Sequence, residues 1–98
     1  MNSLLVWVIY DISDNSVRNV VANRCKGYGL YRVQKSAFLG TLNSNQQDSL
    51  ALECRDLIED NDSVYVFPMC DKCLKRIQLL GKDFDLELVR DKLGVMFL

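Results

Sequence analysis

The chain carries 98 residues, 49% of them apolar and 26% charged, with a net charge of −1. That is room for one small domain with a filled core, and a chain this short gains readily from dimerisation. No segment approaches the about 20 consecutive apolar residues of a membrane-spanning helix, so none is expected.

Leu4 to Ile12 is predicted as a strand, apolar on both faces through Leu5, Val6, Trp7, Val8 and Ile9, which is the pattern of a central sheet strand. Ser13 or Asp14 then caps a first helix whose shared face is Val17, Val20, Val21 and Cys25, with Arg18, Asn19 and Asn23 pointing elsewhere. Gly29 suits a left-handed helix end. From Leu30 to Leu42 the residues alternate, with Tyr31, Val33, Ala37 and Leu39 on one side. Arg32, Gln34, Ser36 and Phe38 take the other. One long strand fits this stretch, and so do two short strands turning near Lys35-Ser36.

Asn43 or Ser44 opens a second helix with Leu50, Cys54, Leu57 and Ile58 inward, and Asp60-Asn61-Asp62 closes it as a polar turn. Ser63 to Met69 is a further strand ending around Pro68. A short helical turn over Cys70–Arg76, a brief strand Ile77–Leu80 and helical spacing over Phe84–Leu93 follow. The apolar end Gly94–Leu98 is too sticky to hang in water. This order predicts an α+β ferredoxin-like sandwich over residues 1–80, an antiparallel sheet with both helices on one face, and a tail 81–98 packing on the dimer. Because two strands are apolar on both faces, the second sheet face needs a cover, and a symmetric copy of the chain supplies one.

Charge placement says more than its total. Residues 1–40 carry five cations against Asp11 and Asp14, a balance of +3, whereas residues 41–65 carry six carboxylates against Arg55 alone, −5. One face can meet phosphates while another repels them. The apolar start has no basic flank or small-residue cleavage site, so the chain reads as cytoplasmic. Its four cysteines are then expected as free thiols. Histidine is absent, so any hydrolysis falls to carboxylates, metal-bound water or a thiol.

Asp11 is the residue that poses the question. An acid at the end of a doubly apolar strand needs a hydrogen-bond donor or a cation. Either it caps the first helix, where the helix dipole favours it, or it holds a metal ion. Mg²⁺ takes one or two carboxylates plus waters, so one Asp per chain is too few and two per symmetric dimer suffice. Cys70-x-x-Cys73 offers half a zinc site or a redox pair. Cys25 and Cys54, at core positions of the helices, fit packing better than zinc.

Tyr10-Asp11-Ile12, then Arg18, then Tyr28-Gly29-x-x-Arg32-Val33-Gln34-Lys35-Ser36-x-Phe38-x-Gly40, then Asp62-Ser63-Val64 together resemble the small CRISPR-associated endonuclease family. The match runs over roughly residues 4–80, in order and in spacing. The resemblance implies a ferredoxin-like homodimer in which two copies of Asp11 face each other across the two-fold axis as catalytic metal ligands for Mg²⁺ (or Mn²⁺). It implies a metal-dependent phosphodiesterase acting on single-stranded RNA or double-stranded DNA. It also implies an architectural role, the non-integrase subunit that binds DNA with the integrase during spacer acquisition. On that reading Arg18, Arg32 and Lys35 neutralise the nucleic-acid backbone, and Tyr10, Gln34, Ser36 and Phe38 support the site or the dimer interface. Two other functions are the alternatives: a toxin-like ribonuclease of the same fold, and a non-catalytic RNA-binding module using an open sheet face, although the sequence lacks the aromatic-rich motif of such modules and its doubly apolar strands point to a covered sheet.

Overall fold

The doubly apolar run Leu4–Asp11 forms strand β1, and it lies inside the sheet, antiparallel to a neighbour on each side. The computed structural model describes residues 3–74, 76–78 and 80–81. After β1 come α1 (Asn15–Gly27), β2 (Tyr31–Gln34), β3 (Ala37–Leu42), α2 (Ser44–Leu57), β4 (Ser63–Met69) and the short α3 (Asp71–Leu74). The sheet order is β2-β3-β1-β4, antiparallel throughout. This is the predicted α+β ferredoxin-like arrangement.

Local chemistry sets the element ends. Asp14 is the N-cap of α1, its Oδ1 accepting from the Val17 N–H at 3.0 Å, so the cap is Asp14 and not Asp11. At the other end Tyr28 closes the helix, and Gly29 takes φ +84°, a conformation that favours glycine. Asn43 and Gln46 make a reciprocal capping box on α2, with side-chain bonds of 2.8 and 3.0 Å. The stretch Leu30–Leu42 resolves into two strands joined at Lys35-Ser36. Pro68 sits in β4, an edge strand, where a missing N–H is tolerated.

The two sheet faces carry separate clusters. On the helix side Val6, Val8, Tyr10, Ile12, Phe38 and Leu42 pack with Val21, Ala22 and Cys25 of α1 and Leu50 and Cys54 of α2. Full burial of side chains the size of Phe38 or Leu50 is worth about 1.5–3 kcal/mol each. On the other side Leu5, Trp7, Val33, Ala37 and Leu39 are buried, with Ile9, Met69 and Ile77 packed against them. Ile77 therefore folds back over the helix-free face.

Three local expectations change. Val20 is 37% exposed, because the buried stripe of α1 runs through Val21, Ala22 and Cys25. Helix α2 stops at Leu57, and Ile58 continues as an extended cap that still packs on the core. The expected strand Ile77–Leu80 is absent among the described residues there: Ile77 packs as a side chain on the Trp7 cluster without strand pairing. The helical segment 84–93 and the tail 94–98 fall outside the described residues.

Gly40 of β3 lies against Leu30, the residue before β2. A Cβ placed on it lies 2.7 Å from Leu30 Cδ2 and 3.1 Å from Leu30 Cα, and the second contact is to backbone that cannot rotate away. Gly40→Ala is expected to lower the unfolding free energy by about 1–3 kcal/mol, as overpacking does. Urea unfolding checks this, and an unchanged midpoint contradicts the packing.

Candidate nucleic-acid and metal site

Successive side chains on a strand point to opposite faces, and the end of β1 uses this to separate two chemistries. Tyr10 turns toward the helices and is buried; Asp11 turns to the helix-free side and is exposed. Asp11 pairs across the ladder with Ser63 of β4.

Three carboxylates, Asp11, Asp14 and Asp62, belong to the segments that meet at this strand end, and two are already engaged. Asp14 accepts from Val17 N. Asp62 accepts from Glu59 N at 2.9 Å and from Ser13 N at 3.3 Å, tying the polar turn after α2 to the loop after β1. Asp11 has neither a hydrogen-bond donor nor a cation among the described residues. Its chemistry is that of a hard oxygen donor suited to Mg²⁺ or Mn²⁺. No group of three or more metal-ligating side chains occurs among the described residues, so one chain offers a single carboxylate here.

On the helix side of the same strand end lies a cleft of about 230 Å³ lined by Tyr10, Asn15, Arg18, Asn19, Arg32, Lys35 and Ser36. Helix α1 delivers Arg18, β2 delivers Arg32, and the β2–β3 turn delivers Lys35. The three cations expected to meet phosphate thus line one concavity, and no ion pair to any of them occurs among the described residues. Arg32 is held from two sides: its Nη2 donates to the Tyr10 hydroxyl over a long 3.4 Å, and its guanidinium carbon stands 5.1 Å from the Phe38 ring centroid. Tyr10 and Phe38 stack at 6.3 Å between centroids. The Tyr10 hydroxyl reaches the Lys35 carbonyl at 3.5 Å, and the Tyr10 N–H donates to the Ser36 carbonyl at 3.0 Å. Tyr10 and Phe38 therefore support the cleft from beneath.

Gln34 does not join them. The ladder register shifts between Arg32 and Gln34, so Gln34 opposes Ala37 on the helix-free side while Arg32 opposes Phe38 on the helix side. A bulge breaks the strict alternation that had placed Arg32, Gln34 and Ser36 on one strip. Asn15 and Asn19 were missed as lining residues. Asn15 sits three positions before Arg18, and its Oδ1 accepts from Arg18 Nη2 at 2.9 Å, a pairing readable from helical spacing.

The helix cysteines are core groups. Cys25 and Cys54 are buried, and burial, reinforced by the Cys54 thiol beside it, pushes Cys25 from its usual 9.0 up to about 12. Cys70 and Cys73 are exposed, away from that buried pair, and no four-cysteine group assembles among the described residues.

The family described as CRISPR associated protein Cas2 matches residues 4–77. The CRISPR-associated endoribonuclease Cas2 of Korarchaeum cryptofilum is 40% identical over 81 residues, 82% of this chain and 87% of that protein. A second CRISPR-associated endoribonuclease Cas2, from Archaeoglobus fulgidus, is 37% identical over 95 residues, 96% of this chain and 99% of that one. Among solved structures, a crystal structure of Cas2 superposes with a TM-score of 0.67 at 28% identity, covering 84% of this chain and 91% of its own. A Cas1/Cas2 endonuclease fusion of Thermoproteus tenax is 49% identical over 39 residues, 40% of this chain and 15% of the fusion. No helix among the described residues is long and apolar enough to cross a membrane. The fold, the Tyr10-Asp11 strand end and these matches together place the chain in the Cas2 family of CRISPR-associated proteins.

Proposed function

We propose that the chain is a metal-dependent endonuclease of CRISPR adaptation, acting as a homodimer on single-stranded RNA or double-stranded DNA. In the same reading the dimer binds DNA together with the integrase during spacer acquisition. The observation that carries the proposal is Asp11: an exposed carboxylate with no donor or cation among the described residues, one position from the floor of a three-cation cleft. The names of its relatives support a nuclease, and the fused relative supports Cas1 as a partner.

The division of labour follows from the strand end. Arg18, Arg32 and Lys35 neutralise the phosphate backbone and set its register, with Tyr10 and Phe38 keeping the Arg32 fork oriented. Asp11, with the same residue of a second copy, would hold a divalent ion. When bound, that ion supplies Lewis acidity to a phosphate oxygen and lowers the pKa of a water, the role a histidine would otherwise take. A symmetric partner also gives the exposed Tyr65 (59%) and Phe67 (39%) of the helix-free face a cover.

Those same aromatics favour one second reading, an RNA-binding module that stacks bases on the free sheet face. That reading requires a monomer and no metal. A toxin-like ribonuclease of the same fold would share the site, and gene neighbourhood separates it from an adaptation protein.

Asp11→Asn keeps the shape of the side chain and removes its charge. It is expected to reduce Mg²⁺- or Mn²⁺-dependent cleavage of RNA and duplex DNA to background while the far-ultraviolet circular dichroism stays unchanged. Cleavage that survives discards Asp11 as the ligand. Arg18→Ala is expected to weaken binding about equally on every sequence and to flatten the salt dependence, log affinity against log salt, by about one unit. A slope identical to that of the parent protein removes Arg18 from the phosphate contacts.

A further inference from the structure

One reactive pair lies outside the strand-end site. Cys70 follows the last residue of β4 and Cys73 lies in α3, three positions on, so one helical turn brings both to the same side. Both thiols are exposed, whereas Cys25 and Cys54 are sealed in the core. Around that turn the Cys73 backbone N–H and then its thiol pull Cys70 below its ordinary value, and the Cys70 sulfur pushes Cys73 up. A thiolate that forms readily beside a resolving thiol is the arrangement that exchanges disulfides. The described residues add no third ligand that would turn the pair toward zinc.

We propose that Cys70 and Cys73 close a reversible intrachain disulfide by exchange with a small-molecule disulfide such as oxidised glutathione. The Cys70 thiolate attacks one sulfur of the oxidant, giving a mixed disulfide and releasing one glutathione thiolate. The Cys73 thiolate, its proton lost to water, then attacks the Cys70 sulfur and releases the second glutathione. Two electrons pass from the protein pair to the oxidant, and excess thiol reverses both steps.

The clip has a structural reach. Met69, next to Cys70, accepts from Trp7 Nε1 through its sulfur at 2.8 Å. Beyond Cys73, whose carbonyl accepts from the Arg76 N–H at 3.0 Å, Ile77 packs on the same Trp7 cluster. Closing the disulfide therefore constrains the turn that leads on from Met69, the residue bonded to Trp7, the single tryptophan of the chain.

The test uses the full chain, reduced, then incubated with oxidised glutathione, denatured, alkylated and mapped by mass spectrometry. The expected result is loss of two hydrogens in a Cys70–Cys73 linked peptide pair, with Cys25 and Cys54 recovered alkylated. Dithiothreitol restores the free pair, and Trp7 emission shifts on oxidation and returns on reduction. Cys73→Ser is expected to stop at a stable glutathione adduct on Cys70. Recovery of both residues as free thiols overturns the proposal, as does a linkage only between chains or zinc held by the pair in the purified protein. An emission unmoved by disulfide formation overturns the link to Trp7.

Discussion

A strand that is apolar on both faces has to be covered on both, and the rest of this chain is arranged around that demand. Val6 and Val8 are fully buried on the helix side of β1, and Leu5 and Trp7 are nearly so on the other. Only a central position satisfies such a strand, which is why β3 and β4 flank it and the order becomes β2-β3-β1-β4. The two helices then fall on one face. Their termini converge with the polar turn of Asp62 on the loop that follows β1, and the site stands there.

The strand period turns this position into function. Tyr10 and Asp11 are neighbours with opposite fates, one forming the buried floor of a cationic cleft and the other an exposed carboxylate. Two carboxylates of α2 are engaged elsewhere. Glu53 meets Arg24 at 3.6 Å and the Tyr28 hydroxyl, and Asp56 stands 3.7 Å from Arg55. These exposed pairs add little stability, but they accompany a cleft whose lining contains no carboxylate. The positive half of the sequence can thus face a phosphate backbone despite a net charge of −1.

Much of this was legible in the residues. Periodicity gave β1, β4 and both long helices and left Leu30–Leu42 open between one strand and two, while capping chemistry marked the helix ends: Asp14, Gly29 and Asn43 act as their types dictate. What pattern could not resolve was set by tertiary choices. Val20 shares a helical spacing with Val17 and Val21, yet packing selects Ala22 and Cys25 for the buried stripe. A bulge in β2 turns Gln34 away from Arg32, and alternation alone carries no sign of it. Ile77 packs against the Trp7 cluster where a further strand was expected, because burying an apolar side chain does not require ladder pairing. For the site, the cations and Tyr10 were readable as types. Their convergence on one cleft was not, since it depends on the hairpin turning at Lys35-Ser36.

The central claim is that one chain holds half of a metal site. Counting Mn²⁺ bound to the full-length protein, with its mass in solution measured on the same sample, tests it most directly. The account predicts a dimer that binds about one ion per two chains, with carboxylate ligation at hard-cation distances. A monomer, or one ion bound per chain, contradicts it.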